Sequence, residues 1–217
     1  MRAEQAIYTS LARDGRAGYH LVGRSPGISE GEARALATWS PSHGALLVDG
    51  PNRASVNFHP LADGRFALSR SCEGRPEYSG RGGREVYTHA LVIDRPDLDR
   101  AGGRPFSLYR DAMALGYLTY RPDPPTILGP VELGRCHRPA DPERAAGLLR
   151  ELGAGDLADV RRRLAAGESV RLRFGGDRLL LAECLLDLLP LGLVAELSFS
   201  TSLQTSSARP YRLSLIG

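Results

Sequence analysis

Residues 85–93 read Glu85-Val86-Tyr87-Thr88-His89-Ala90-Leu91-Val92-Ile93. β-Branched and aromatic side chains dominate, which predicts a strand. The end, Ala90 to Ile93, is apolar without alternation and predicts a central strand buried on both faces. His89 interrupts that run. A buried imidazole needs a hydrogen-bond partner, so His89 is either a satisfied core residue or part of a site.

The segments around this strand predict a mostly antiparallel sheet. Ala6 to Leu11 and Gly18 to Gly23 read as a hairpin, with Asp14-Gly15 as turn residues. Ser25-Pro26-Gly27 breaks the chain. Ser29 and Glu32 then stand at capping-box spacing. Their helix runs to about Trp39, turns Ile28, Ala35, Leu36 and Trp39 toward a core, and stops at Pro41. Ala54 to Leu61 and Arg65 to Arg70 form a second hairpin around Asp63-Gly64. The Gly/Arg-rich stretch from Glu73 to Arg84 reads as an exposed loop.

A short helix is expected over Ser107 to Leu115. The proline-rich segment from Arg121 to Pro130 cannot be helix interior and marks the approach to a boundary. We therefore expect an α+β domain over 1–135 with helices covering the sheet. A second part over 136–217 is expected to combine helices with a short sheet. There, Asp141-Pro142 opens one helix, Gly153 and Gly167 punctuate two, and Ser169 to Phe174 is a strand. Asp177 caps a leucine-rich helix to about Leu189, apolar on nearly all sides and so buried between layers. Leu197 to Thr201 and Tyr211 to Ile216 are further strands.

Composition narrows the function classes. Hydrophobic residues make up 42%, enough for a core, and aromatics only 6%. All 28 basic residues are arginine. Residues 1–135 hold 17 arginines and 15 acids, and residues 136–217 hold 11 and 10. Neither part resembles a nucleic-acid-binding arm, so nucleic acid is not the expected partner. The run Arg161–Arg163 reads as a solvated helix face. Cys72, Cys136 and Cys184 are odd in number and widely spaced, which fits neither a disulfide framework nor a zinc site. The amino terminus lacks a signal-peptide stretch. The run from Leu179 to Leu197 carries Glu183, Asp187 and Pro190, a poor membrane span. The cytoplasm is the expected location.

No catalytic motif is complete. Gly175-Gly176-Asp177-Arg178 follows a strand and opens a helix, but no Gly-Lys-Ser/Thr follows. His20, His43, His59, His89 and His137 make no i, i+3 or i+4 metal pair. Ser10, Ser25, Ser71 and Cys72 lie outside any nucleophile elbow, and Asp97 and Asp99 read as solvated loop acids. No cofactor or metal is expected. The loop arginines and glycines around Gly80–Arg84 are either a surface for an anion or simply a flexible loop.

The segments Gln5-Ala6-Ile7-Tyr8-Thr9-Ser10, Gly18-Tyr19, Arg24-Ser25-Pro26-Gly27-Ile28-Ser29 and Arg81-Gly82-Gly83 before Tyr87-Thr88-His89-Ala90-Leu91-Val92 resemble a known start. It is that of the bacterial GTPase-associated protein family, amino-terminal domain type two. Arg84 stands where that family usually has asparagine. Leu186 to Leu191, Leu197 to Thr201 and Arg209-Pro210-Tyr211 resemble the family's middle domain. The resemblance implies an adaptor-like part of a multi-component conflict or defence system, whose protein partner is a GTPase or a subunit of its complex. It also implies a minimal version lacking the longer members' carboxy-terminal region. The expected binding surface comprises Tyr8, Ser10, Ser25, Arg81, Arg84 and His89. If the chain stimulated GTP hydrolysis, Arg84 or another loop arginine would be a finger on developing phosphate charge. The alternative is a hydrolase or transferase with a site assembled around Tyr8, Ser10 and His89.

Overall fold

The computed structural model describes all residues except 14, 78–81, 135–138 and 155–156, and the side chain of Asp63. Strand β5 (Arg84–Asp94) contains the stretch quoted first, and residues 85–93 are all buried. It pairs antiparallel with β1 (Arg2–Ser10) on one side and β4 (Arg65–Pro76) on the other. β2 (Tyr19–Arg24) extends the sheet beyond β1, and β3 (Ala54–Pro60) lies beyond β4. The two-residue β6 (Val131–Glu132) pairs with the start of β1.

The strands of the second part are short, and they continue this same sheet. β8 (Phe199–Ser200) pairs antiparallel with β3, β9 (Leu213–Ile216) is parallel to β8, and β7 (Val170–Arg173) is parallel to β9. The order is β2-β1-β5-β4-β3-β8-β9-β7. Among the described residues seven helices accompany it: α1 (Glu30–Trp39), α2 (Arg95–Arg100), α3 (Pro105–Ala114), α4 (Pro142–Glu151), α5 (Ala158–Ala165), α6 (Arg178–Asp187) and α7 (Leu191–Glu196). The class is α+β.

Strand side chains alternate between faces, and two adjacent rows show what each face is for. One row runs Gln5, Leu91, Leu68, Phe58, Phe199, Leu213, Val170. Apart from Gln5 it is apolar, and it packs against residues of α2 to α7 in the main core. Four of the five phenylalanines lie here. Phe58 stacks on Phe66 and Phe199, and Phe199 stacks on Phe106 of α3 with 5.2 Å between ring centres. The phenylalanines are thus concentrated where β8 joins β3. Each such buried ring stabilises by about 1.5–3 kcal/mol.

The next row, on the opposite face, runs Arg24, Ala6, Ala90, Ser69, Asn57, Ser200, Ser214, Arg171. Its alanines are covered by Ile28, Ala33 and Leu36 at α1. Ser29 and Glu32 make the expected capping box, while Ala35 stays partly exposed and Trp39 stacks on His59. The polar half is closed by hydroxyl bonds. The Ser55 hydroxyl donates to Asn57 at 2.7 Å, and Ser71 and Thr88 share a bond at 2.8 Å.

Two expectations need correction. Asp97 and Asp99 are in helix α2, because Pro96 is compatible with a first helical turn; Asp97 is buried and pairs with Arg100, and Asp99 pairs with Arg95. β4 continues to Pro76 and β5 begins at Arg84, so both ends of the Glu73–Arg84 stretch are strand. The leucine-rich helix capped by Asp177 ends at Asp187, near the expected Leu189, and Pro190 opens the further helix α7. Asp14, Arg81, Cys136 and His137 lie outside the described residues.

The Gly-Gly-Asp-Arg turn is structural. Asp177 caps α6 by accepting from Leu180 N, and Asn52 Oδ1 accepts from Arg178 N. Arg178 itself is fully buried. Its guanidinium donates to the carbonyls of Thr201 and Leu47, to Ser202 Oγ and to Asp49 Oδ2. This bond to Arg178, with a second from Asn52, holds the Asp49 carboxyl below the usual carboxylate range. Sequence reading passed over Arg178; a lone arginine after a cap carries no local sign of burial.

Candidate functional site

Tyr8, Ser10 and His89 do not meet. Tyr8 is the direct partner of Thr88, whereas His89 is the partner of Ile7. The pleat therefore sends His89 to one face and Tyr8 and Ser10 to the other. The alternative site built from these three residues fails on this alternation.

His89 belongs to a buried polar knot. Its Nε2 donates to Gln5 Oε1 at 2.9 Å, and Gln5 Nε2 donates to the Gly129 carbonyl. Gln5 N donates to Ser25 Oγ at 2.8 Å, and Ser25 N returns a bond to the Gln5 carbonyl. Burial lowers the His89 pKa to about 3; nearby Arg121 adds to the shift and the Thr119 backbone opposes it. The ring is neutral near pH 7, with Nδ1 buried beside the Thr119 backbone. Ser25 is likewise fully buried. Together the two residues tie β2, β1, β5 and the 129 region into one unit.

The other nucleophile candidates are also occupied. Ser10 Oγ donates to Glu77 Oε1 at 3.2 Å. Burial pushes the Cys72 thiol up, with Arg70 opposing, so the reactive thiolate is disfavoured. Among the described residues, the histidine rings with a hydrogen bond reach a backbone carbonyl (His20, His59) or Gln5 (His89), never a hydroxyl. No group of three His, Cys, Asp or Glu among the described residues is placed to hold a metal ion. Arg84 is half exposed, 4.0 Å from Glu73, in a cleft of about 530 Å³ with Arg53 and Arg70.

Tyr8 does line a larger feature. A groove of about 610 Å³ runs over β2, between α1 and residues 126–127. Tyr8 and Tyr19 stack in it with ring centres 5.9 Å apart. Burial pushes the Tyr8 phenol up, with Arg209 opposing. Arg24 pairs with Glu30 across the groove, and Arg16 and Arg34 add charge. On the outer wall stands Ile127, 74% exposed.

The strand places that wall. Arg24 N donates to the Thr126 carbonyl, and Leu128 N donates to the Arg24 carbonyl, so the segment covers this end of the β2 edge. At Gly23 an added Cβ would lie 2.3 Å from the Pro125 carbonyl oxygen. Only glycine permits the crossing. In sequence the segment is simply a proline-rich break, and nothing local marks Ile127 as a groove residue.

No helix among the described residues is long and apolar enough to cross a membrane. No curated protein and no solved structure matches the chain. A family model described as GTPase-associated protein 1, N-terminal domain type 2, matches residues 2–130. That span holds β1 to β5, the knot and the groove, and by it the chain belongs to the GTPase-associated protein 1 family, through its type 2 amino-terminal domain.

Proposed function

We propose that the protein is a non-catalytic adaptor or scaffold component of a bacterial GTPase-linked multi-protein system acting in conflict or defence. It works in the cytoplasm and binds a GTPase or an associated subunit. Residues 1–135 are the family domain, and residues 136–217 are a middle-domain-like companion. Of the expected binding surface, Tyr8 is the residue that lines the groove, and the groove takes the partner.

One observation carries this reading: Ile127 is a large apolar side chain left 74% exposed beside a groove floored by stacked tyrosines. Interfaces favour tyrosine and arginine around an apolar anchor. Arg16, Arg24 and Arg34 outnumber the single acid Glu30 in the lining. The occupant is therefore a segment of the GTPase-side partner with an apolar anchor and flanking acids. Co-purification with the GTPase encoded beside the gene tests the reading, in nucleotide-free, GDP-bound and GTP-analogue-bound states. Stable association in at least one state is expected. Absence of association in every state overturns it.

A further inference from the structure

The polar row ends at Arg171, at the opposite end of the sheet from the groove. There a further open pocket of about 590 Å³ is built from separate segments of the chain. Arg163 and Ser169 flank the turn into β7, Arg171 sits on β7, and residues 205–207 and 209–211 with Ser214 close the far side. Three arginines and several hydroxyls line the pocket, and no carboxylate does.

Several arginines elsewhere meet acids: Arg65 with Glu32 and Asp94, Arg95 with Asp99 and Glu196, Arg104 with Asp187. In the pocket, Arg163 is held by Glu168 at 2.8 Å. Arg171 and Arg209 form no ion pair among the described residues. The Nε of Arg209 is buried without a hydrogen-bond partner, although a buried donor left unmade costs about 1–3 kcal/mol. Ser214 is the register partner of Arg171 and shares its face of the sheet. Arg209 is fixed at the base of a tight turn, with its backbone N–H donating to the Ser206 carbonyl at 3.0 Å.

Two unpaired guanidinium groups on fixed backbone, with hydroxyl donors between them, suit a group with several acceptor oxygens and more than one negative charge. We propose that this pocket binds the phosphate group of a small anion, gripped by Arg171 and Arg209 and supported by the hydroxyls of Ser206 and Ser214. The ligand is free pyrophosphate or the phosphate end of a nucleotide. The site is separate from the groove, although the Arg209 charge reaches Tyr8, and it does not rest on the adaptor reading.

Calorimetric titration of the full chain with inorganic pyrophosphate, GDP, guanosine and sulfate tests it. Saturable binding of pyrophosphate or GDP is expected, with none of guanosine. Arg171→Ala and Arg209→Ala should each weaken it about tenfold or more, as expected for loss of a charge-assisted bond. Arg150→Ala, outside the pocket, should leave it unchanged. Both pocket variants should melt with the wild type, which separates lost binding from lost folding. GDP binding tighter than pyrophosphate identifies a nucleotide; equal affinities identify the phosphate group alone. No saturable binding, sulfate binding as tight as pyrophosphate, or full binding in both pocket variants overturns the proposal.

Discussion

The two adjacent rows of the sheet are one residue apart and behave oppositely. The row through Leu91, Phe58 and Phe199 is sealed under helices. The row through Ala90, Asn57 and Ser200 is alanine under α1, hydroxyl in the middle, and arginine at both ends. Its two ends differ again: Arg24 pairs with Glu30 at the groove, while Arg171 has no acid in its pocket. The apolar row carries stability. The polar row carries the openings, because only its ends reach water. Binding variants should therefore separate cleanly from stability variants.

The largest expected effect lies on the apolar row. Phe199→Ala removes the ring that links Phe58 of β3 to Phe106 of α3, and should cost about 3–5 kcal/mol in denaturant unfolding. A loss below about 1 kcal/mol would break the contrast between the rows.

The next effect compares one buried histidine from each face. His59, stacked on Trp39, has its pKa lowered by burial to about 4, and His89 to about 3. Both lie below the ordinary histidine value near 6.5, so the unfolded chain binds the extra protons. Stability is then fully present above about pH 6.5 and falls as pH drops toward 4. At pH 5 each ring should have withdrawn about 2 kcal/mol. His59→Gln and His89→Gln should each flatten the slope of unfolding free energy against pH by up to one proton over that window. An unchanged slope in either would mean that its ring is not buried neutral.

Asn57→Leu probes the polar row itself. It removes the acceptor for Ser55 and the amide facing Ser69 and Ser71, and should cost about 1–3 kcal/mol because those hydroxyls lose partners. A stabilised variant would show that the hydroxyl network is dispensable.

Local patterns made much of the fold legible in the sequence. The central strand, both hairpins, the Ser29–Glu32 capping box and the Asp177 cap are short-range signals, and each lies where it was read. α2 was obscured by Pro96, which reads as a break unless it falls in a first turn. The joining of β8 to β3 rests on a two-residue strand, too short to show a period. The site was less legible. Tyr8, Ser25 and His89 were visible as polar residues in strands or breaks, but their faces depend on register, which the pleat reverses at every residue. Ile127, Arg178 and the Arg171–Arg209 pocket arise from long-range packing that no local pattern encodes.

The smallest effect on stability should accompany the largest effect on binding. Ile127→Asp changes an exposed side chain and should shift unfolding by no more than about 0.5 kcal/mol. The most direct test of the adaptor reading is calorimetric titration of the neighbouring GTPase into the wild type and into this variant. The account predicts saturable binding by the wild type, weakened about tenfold or more by Ile127→Asp and unchanged by Arg171→Ala. Equal affinity for the wild type and Ile127→Asp, or no binding by either, would contradict it.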